Sequence, residues 1–212
     1  MIPESSPAIL AIDSSLGPCS VALCRGDIIE AERIEESHGQ QSRRLIGMLE
    51  AVLEQAGLTY KECTAIACTR GPGGFTGIRT GLATARAIAL AANIPLIGLS
   101  TLEVIAYGAN IAGDIVAVID AYRGQYYAQR FRKNSTLIPL SDALLVEENA
   151  ISALAHGAKI VRSAPSASLA ALLAEEKWLH GERTFPNTPL YLREPDAKLP
   201  KSEGLKYKNE LL

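Results

Sequence analysis

Two acidic residues close apolar runs in this 212-residue chain: Asp13 ends AILAID and Asp120 ends IVAVID. Ser14, Ser15 and a turn through Gly17 follow the first; a turn through Gly124 follows the second. A carboxylate at a strand end, followed by small hydroxyl residues and a glycine hairpin, can aim backbone N–H groups at a phosphate and orient a hydrated Mg2+. The same residues also suit an ordinary hairpin in which Asp forms the turn.

Arg70-Gly71-Pro72-Gly73-Gly74-Phe75-Thr76-Gly77 is the most distinctive stretch. Its glycines permit close backbone approach, and it opens a helix whose first N–H groups suit an anion. Lys followed by Ser or Thr is missing, so it is not a Walker A loop, nor does it have the G-x-G-x-x-G dinucleotide spacing. Gly77 and Gly81 are one helical turn apart, and Thr80, Thr84, Ala85 and Ile88 extend that small-residue side. A glycine inside a helix costs about 1 kcal/mol, so a close contact should offset it. Three partners are open: the helix carrying Leu45, Met48, Leu49 and Val52, the same surface of a second chain, or ordinary intrachain packing.

Other catalytic patterns are poorly supported. His38, His156 and His180 are far apart in sequence, no HExxH pair seats a metal, and no G-x-S-x-G elbow is present. Cys19, Cys24, Cys63 and Cys68 have no nearby histidine and read as buried, inert thiols. Glu35–Glu36 and Glu147–Glu148 read as solvated surface pairs. Lys plus Arg is 21 and Asp plus Glu 23, giving a net charge of -2, and the pI is near 6.0. A global basic field for nucleic acid is therefore excluded, and no apolar run reaches the roughly 20 residues of a membrane span. The expected setting is the cytoplasm.

These residues need elements to position them. AILAID, CSVALC and IIEAERI read as an antiparallel meander. Leu45 to Ala56 has helical spacing with Gly57 at the stop, and Ser37 or Ser42 suits its cap. TAIACT is a strand, the glycine-rich loop leads into a helix ending near Ala92, LIGLS is a strand, and Thr101 to Ala109 a short helix. IVAVIDAYRGQYYAQRF then repeats the order strand, Ile-Asp, glycine turn, strand, which reads as an internal duplication. AKIVRS suits a strand, Ser166 to Lys177 a helix, and the end, from TPLYLREP onward, a loose tail. A boundary near residues 110–114 gives an N-terminal lobe, 1–112, and a smaller C-terminal lobe, 113–212.

ILAIDSSLGPCSVAL, RGPGGFTGIRTGLATARAIALAANIPLIGLSTL, AVIDAYRGQYYAQRF and PLYLREPDAKLP together resemble the TsaB (YeaZ) family. The resemblance is close over the first 130 residues and in the YLR segment. It implies an α/β, duplicated ASKHA fold (actin/hexokinase/Hsp70-like), with two lobes, each a mixed sheet flanked by helices, and the second lobe reduced. It also implies a non-catalytic scaffold that binds and supports the catalytic subunit TsaD. Together with the ATPase TsaE, that assembly places the threonylcarbamoyl group on tRNA adenosine beside the anticodon, using a donor made by TsaC.

The implied interface, for a homodimer or for TsaD, is Leu45, Met48, Leu49, Val52, Gly77, Thr80, Gly81, Thr84, Ala85 and Ile88. No catalytic residue and no metal are implied: Ser100 to Ala106 lacks the histidine pair of a TsaD-like site, and residues 133–212 hold only isolated glycines at 157, 181 and 204. Asp13, Ser14, Ser15 and Asp120 then mark vestigial phosphate loops. No cofactor is required, and ATP or ADP would belong at a subunit interface. Contact with tRNA runs through the complex, with Arg43, Arg44, Arg70, Arg79 and Arg86 as the cations available for direct contact. The alternative reading is an autonomous ASKHA nucleotide-binding ATPase or kinase.

Overall fold

The structure is a computed structural model that describes residues 6–36 and 41–193. Two five-stranded mixed sheets form its centre. The first contains β1 (Ala8–Asp13), β2 (Cys19–Arg25), β3 (Ile28–Glu35), β4 (Ala65–Thr69) and β5 (Leu96–Leu99), in the order β3-β2-β1-β4-β5. β1 to β3 form the antiparallel meander, and β4 and β5 add in parallel beside β1. The second sheet contains β6 (Gly113–Asp120), β7 (Gln125–Lys133), β8 (Leu137–Pro139), β9 (Leu144–Glu147) and β10 (Lys159–Val161). β6 pairs antiparallel with β7 and parallel with β10, as β1 pairs antiparallel with β2 and parallel with β4. This repeat of strand neighbours is the duplication that the sequence displays, and it puts Asp13 and Asp120 at corresponding strand ends.

β1 is buried on both faces, which its unbroken apolar run requires. Leu10 and Ile12 face one cluster, with α1 (Gln41–Ala56) and α2 (Phe75–Ala92) packed over it. Ile9 and Ala11 face the opposite cluster, which α5 (Ala167–Leu179) covers through Ala167, Ala170, Ala171, Leu173 and Ala174. Between the lobes lies α3 (Thr101–Gly108), whose Leu102, Ile105 and Ala106 join the core of the second sheet. α4 (Glu148–Ala155) covers the other face of that sheet with Ile151 and Ala155.

Two expectations need correction. The division at 110–114 separates the sheets, but α5 returns to the first lobe because its alanine-rich surface lets it lie close on β1 and β2. The segment from Phe185 to Arg193 is also not loose. It runs back as an extended strap, with Leu190 N–H donating to the Arg70 carbonyl at 2.7 Å. Ser37 and His38 lie outside the described residues, as does the tail beyond residue 193.

Candidate functional site

The Asp13 hairpin and the glycine-rich loop interlock. Asp13 ends β1, is buried, and its Oδ1 accepts from Thr69 Oγ1 at 2.6 Å, Ser15 Oγ at 2.7 Å and Ser15 N–H at 3.2 Å. Loss of water raises the Asp13 pKa above the ordinary carboxylate range, and these three hydrogen bonds only partly counter it. Gly74 N–H donates to the Ser15 carbonyl at 2.7 Å, and Ser14 Oγ donates to the Gly77 carbonyl at 2.8 Å. A Cβ at Gly73 would overlap the Ser15 carbonyl oxygen, and one at Gly77 the Ser14 carbonyl oxygen. At Gly81 a Cβ would come within 2.5 Å of Ser14 Oγ. The glycines therefore serve the approach of two loops of one chain.

This geometry limits the chemistry. Donors that would face a phosphate at Ser15 and Gly74 are committed inside the chain, and both serine hydroxyls have hydrogen-bond acceptors. The Asp120 turn is more open. Asp120 is exposed, its Oδ1 accepts from Tyr122 N–H at 2.7 Å, and it borders a cleft of about 330 Å3 with Leu16, Tyr122, Arg162 and Ser163. The first loop thus reaches the second through Leu16.

The anticipated interface residues separate into two groups. Leu45, Leu49, Val52 and Ala85 are core, because the helical stripe that made them conspicuous faces the sheet. Gly77 and Gly81 face Ser14, so an arginine at 81 would strike the chain's own hairpin and would not report on association. Met48, Thr80, Thr84 and Ile88 keep partial exposure. Ile88 lines a cleft whose other lining residues sequence reasoning missed. Ile46 and Glu50 of α1, Thr59, Tyr60 and Lys61 of the connecting turn, and Ala87, Ile88, Ala91 and Ala92 of α2 line a largely apolar cleft of about 610 Å3. Leu90, 85% exposed, stands on the same helix.

Other side chains contribute less than their sequence pattern suggested. Glu35 is buried and its Oε2 pairs with Arg44 at 2.7 Å, which corrects its reading as solvated and engages that arginine. All four cysteines are free and buried; burial pushes the Cys19 and Cys63 thiols up to about 11. Among the described residues, His, Cys, Asp and Glu side chains do not gather in threes around a possible metal position. No helix among them is long and apolar enough to cross a membrane.

The strap also escaped sequence reasoning. Arg70 donates to the Thr188 carbonyl, Arg86 to the Asn187 carbonyl, and Arg79 Nε to the Tyr191 hydroxyl at 2.9 Å. At the far end Arg193 donates to Gln125 Oε1 at 2.7 Å, so the strap ties α2 and the glycine-rich loop to the second lobe. Its one sequence signal was Gly98 inside β5, where a Cβ would overlap the Pro186 carbonyl oxygen.

Comparison with known proteins agrees with this architecture. The profile of the TsaD family, tRNA N6-adenosine threonylcarbamoyltransferase, matches residues 35–167. The Escherichia coli tRNA threonylcarbamoyladenosine biosynthesis protein TsaB is 37% identical over 129 residues, 59% of this chain and 55% of that protein. An uncharacterised Mycobacterium tuberculosis protein is 32% identical over 203 residues, 90% of this chain and 93% of that one. The match thus spans little more than half of the E. coli relative, and 64% of the TsaB of Buchnera aphidicola from Schizaphis graminum. Among solved structures, YeaZ from Pseudomonas aeruginosa superposes with a TM-score of 0.76 at 23% identity, covering 88% of this chain and all of that one, which shows the shared fold. The chain belongs to the tRNA N6-adenosine threonylcarbamoyltransferase (TsaD) family, among its TsaB/YeaZ-type members.

Proposed function

We propose that this chain is a non-catalytic supporting subunit in the synthesis of N6-threonylcarbamoyladenosine on tRNA, and that it docks on a TsaD-type catalytic subunit through the α1–α2 cleft. The observation that carries this reading is that cleft: apolar, about 610 Å3, and flanked by Ile46, Ala87, Ile88 and Ala91. Large exposed apolar patches on an otherwise polar surface mark contact sites. The TsaD-family profile spans both helices, so a catalytic partner of that family brings an equivalent helical pair. Two such faces pack with their small residues in register. A TsaE-type ATPase completes the assembly, tRNA reaches this chain through it, and the compartment is the cytoplasm. No cofactor is required by this chain alone; ATP or ADP belongs at a subunit interface.

An autonomous ATPase or kinase is the second reading, and the open Asp120 cleft favours it. Against it, Ser15 N–H and Oγ donate to Asp13 Oδ1 and Gly74 N–H donates to the Ser15 carbonyl, so these donors are engaged within the chain. Ala87→Lys with Ala91→Lys tests the first reading, since both positions are exposed and lysine suits a helix. The variant should fold normally, lose the TsaD-type subunit in size-exclusion light scattering, and fail to support tRNA modification. Assembly at parental affinity would remove this face from the reading. Loss of self-association alone would assign the face to a homodimer.

A further inference from the structure

The chain's charge is unevenly distributed. Its net charge is -2, yet residues 63–102 contain three arginines, no lysine and no acidic residue. The strap, residues 185–193, adds Arg193, again without an acid. The fold brings these two segments together. Arg79 and Arg86 lie two turns apart on one stripe of α2, and both are exposed. Their described hydrogen bonds go to neutral acceptors: Arg79 to the Tyr191 hydroxyl, Arg86 to the Asn187 carbonyl. Neither is in an ion pair among the described residues.

Aromatic rings stand beside these charges. Phe75 and Tyr191 stack with centroids 4.8 Å apart, and the Arg79 guanidinium lies 3.6 Å from the Phe75 centroid. Phe75 covers one face of Tyr191, yet Phe75 remains 42% and Tyr191 41% exposed. A protein core would have buried such a stack. Exposed rings interleaved with guanidinium groups that face no carboxylate match the chemistry of single-stranded RNA, whose bases stack on aromatic faces while phosphates take the cations.

We propose that Tyr191, with Phe75, Arg79 and Arg86, forms a contact platform for an unpaired segment of the tRNA substrate. The proposal rests on the supporting-subunit reading above. It assigns this chain a direct part in holding RNA, on the strap side of α2, while Ala87, Ile88 and Ala91 face the docking cleft. The strap supplies one of the two rings, so the platform exists only when the strap is seated.

The test uses the chain assembled with its TsaD-type subunit and a fluorescently labelled, unmodified tRNA transcript, with anisotropy followed over a salt series. Arg79→Gln with Arg86→Gln should leave assembly intact and lower the magnitude of the log–log salt slope by about 1.4, the loss of two single-strand phosphate contacts. Tyr191→Ala should weaken binding roughly 5- to 150-fold, as for a lost base–aromatic stack, and Tyr191→Phe should retain it. An arginine variant with unchanged affinity and salt slope overturns the proposal, whatever Tyr191→Ala does to the strap. So does an arginine variant that loses the protein partner, because the patch is then a protein interface. Failure of the parental chain to assemble would instead overturn the supporting-subunit reading.

Discussion

Gly98→Ala is a sensitive probe of the strap. Gly98 is in the interior of β5, where a methyl group would overlap the Pro186 carbonyl oxygen and come within 3.3 Å of Arg70 Cδ. The obstacle on one side is backbone, so the strand and the strap must part. Lifting the strap breaks the 2.7 Å bond from Leu190 N–H to the Arg70 carbonyl and frees Arg70 and Arg86 from their carbonyl acceptors. It also unstacks Tyr191 from Phe75. One net backbone hydrogen bond is worth about 1 kcal/mol and one aromatic pair about 0.5–1.5 kcal/mol; the exposed arginine bonds add less. The expected loss is therefore about 2–4 kcal/mol, or roughly 5–15 °C in melting temperature for a chain of this size. Calorimetry reads the melting shift, and hydrogen exchange reads the Leu190 amide, which should lose protection while amides of β1 and β4 keep theirs. A variant melting within about 2 °C of the parent, with the Leu190 amide still protected, would show that the strap is not held as described.

Two further outcomes follow from the site. Burial raises the Asp13 pKa above 3.8, so the native state holds its proton to higher pH than the unfolded chain. This group's contribution to stability therefore falls as pH rises from about 3.8 through the raised native value, and Asp13→Asn removes that dependence while keeping an Oδ1 acceptor. Urea unfolding at pH 4 and pH 7 should find the variant's stability relative to the parent higher at pH 7; the opposite trend would refute the assignment. Leu49 and Ile46 separate core from surface on α1. Leu49→Ala should cost about 2–5 kcal/mol in the isolated chain, whereas Ile46→Ala should cost less than about 1 kcal/mol and weaken partner binding. Equal costs in denaturant melts would contradict the burial difference between them.

The first lobe was legible because its signals are local. Apolar runs in β1, β2 and β4, and the Gly57 and Asn93 stops, placed the strands and helices within a few residues. β8, β9 and α4 were not legible. All three are short and half-exposed; β8 and β9 form by pairing with β7 and α4 by packing on that sheet, tertiary effects with little local trace. α5 was read as a helix, but its destination was not, because it is apolar with no single stripe to indicate which sheet it covers. The strap looked like a polar, proline-containing loop because it binds mostly through backbone carbonyls, which residue type does not encode. The small-residue helix was recognised for a sound reason, the cost of its glycines, yet the contact that offsets it is a hairpin rather than a second helix.

In the proposed supporting role, that contact would make a lobe patterned for ligand binding a rigid docking body. In a phosphate site, the hairpin and glycine-rich loop would hold their N–H groups and hydroxyls toward a ligand and stay incomplete without it. Here Ser14 Oγ donates to the Gly77 carbonyl and Gly74 N–H to the Ser15 carbonyl across the two loops, Ser15 Oγ donates to Asp13, and Thr69 closes over Asp13. The α2 N-terminus is thereby fixed against β1, and the strap fixes its exposed side. A surface held from both sides loses little conformational entropy on association, so more of its apolar contact energy goes into affinity. Under the proposed docking role this internal satisfaction suits α2 to partner binding, and disturbing Ser14 should weaken association at a face that Ser14 does not line.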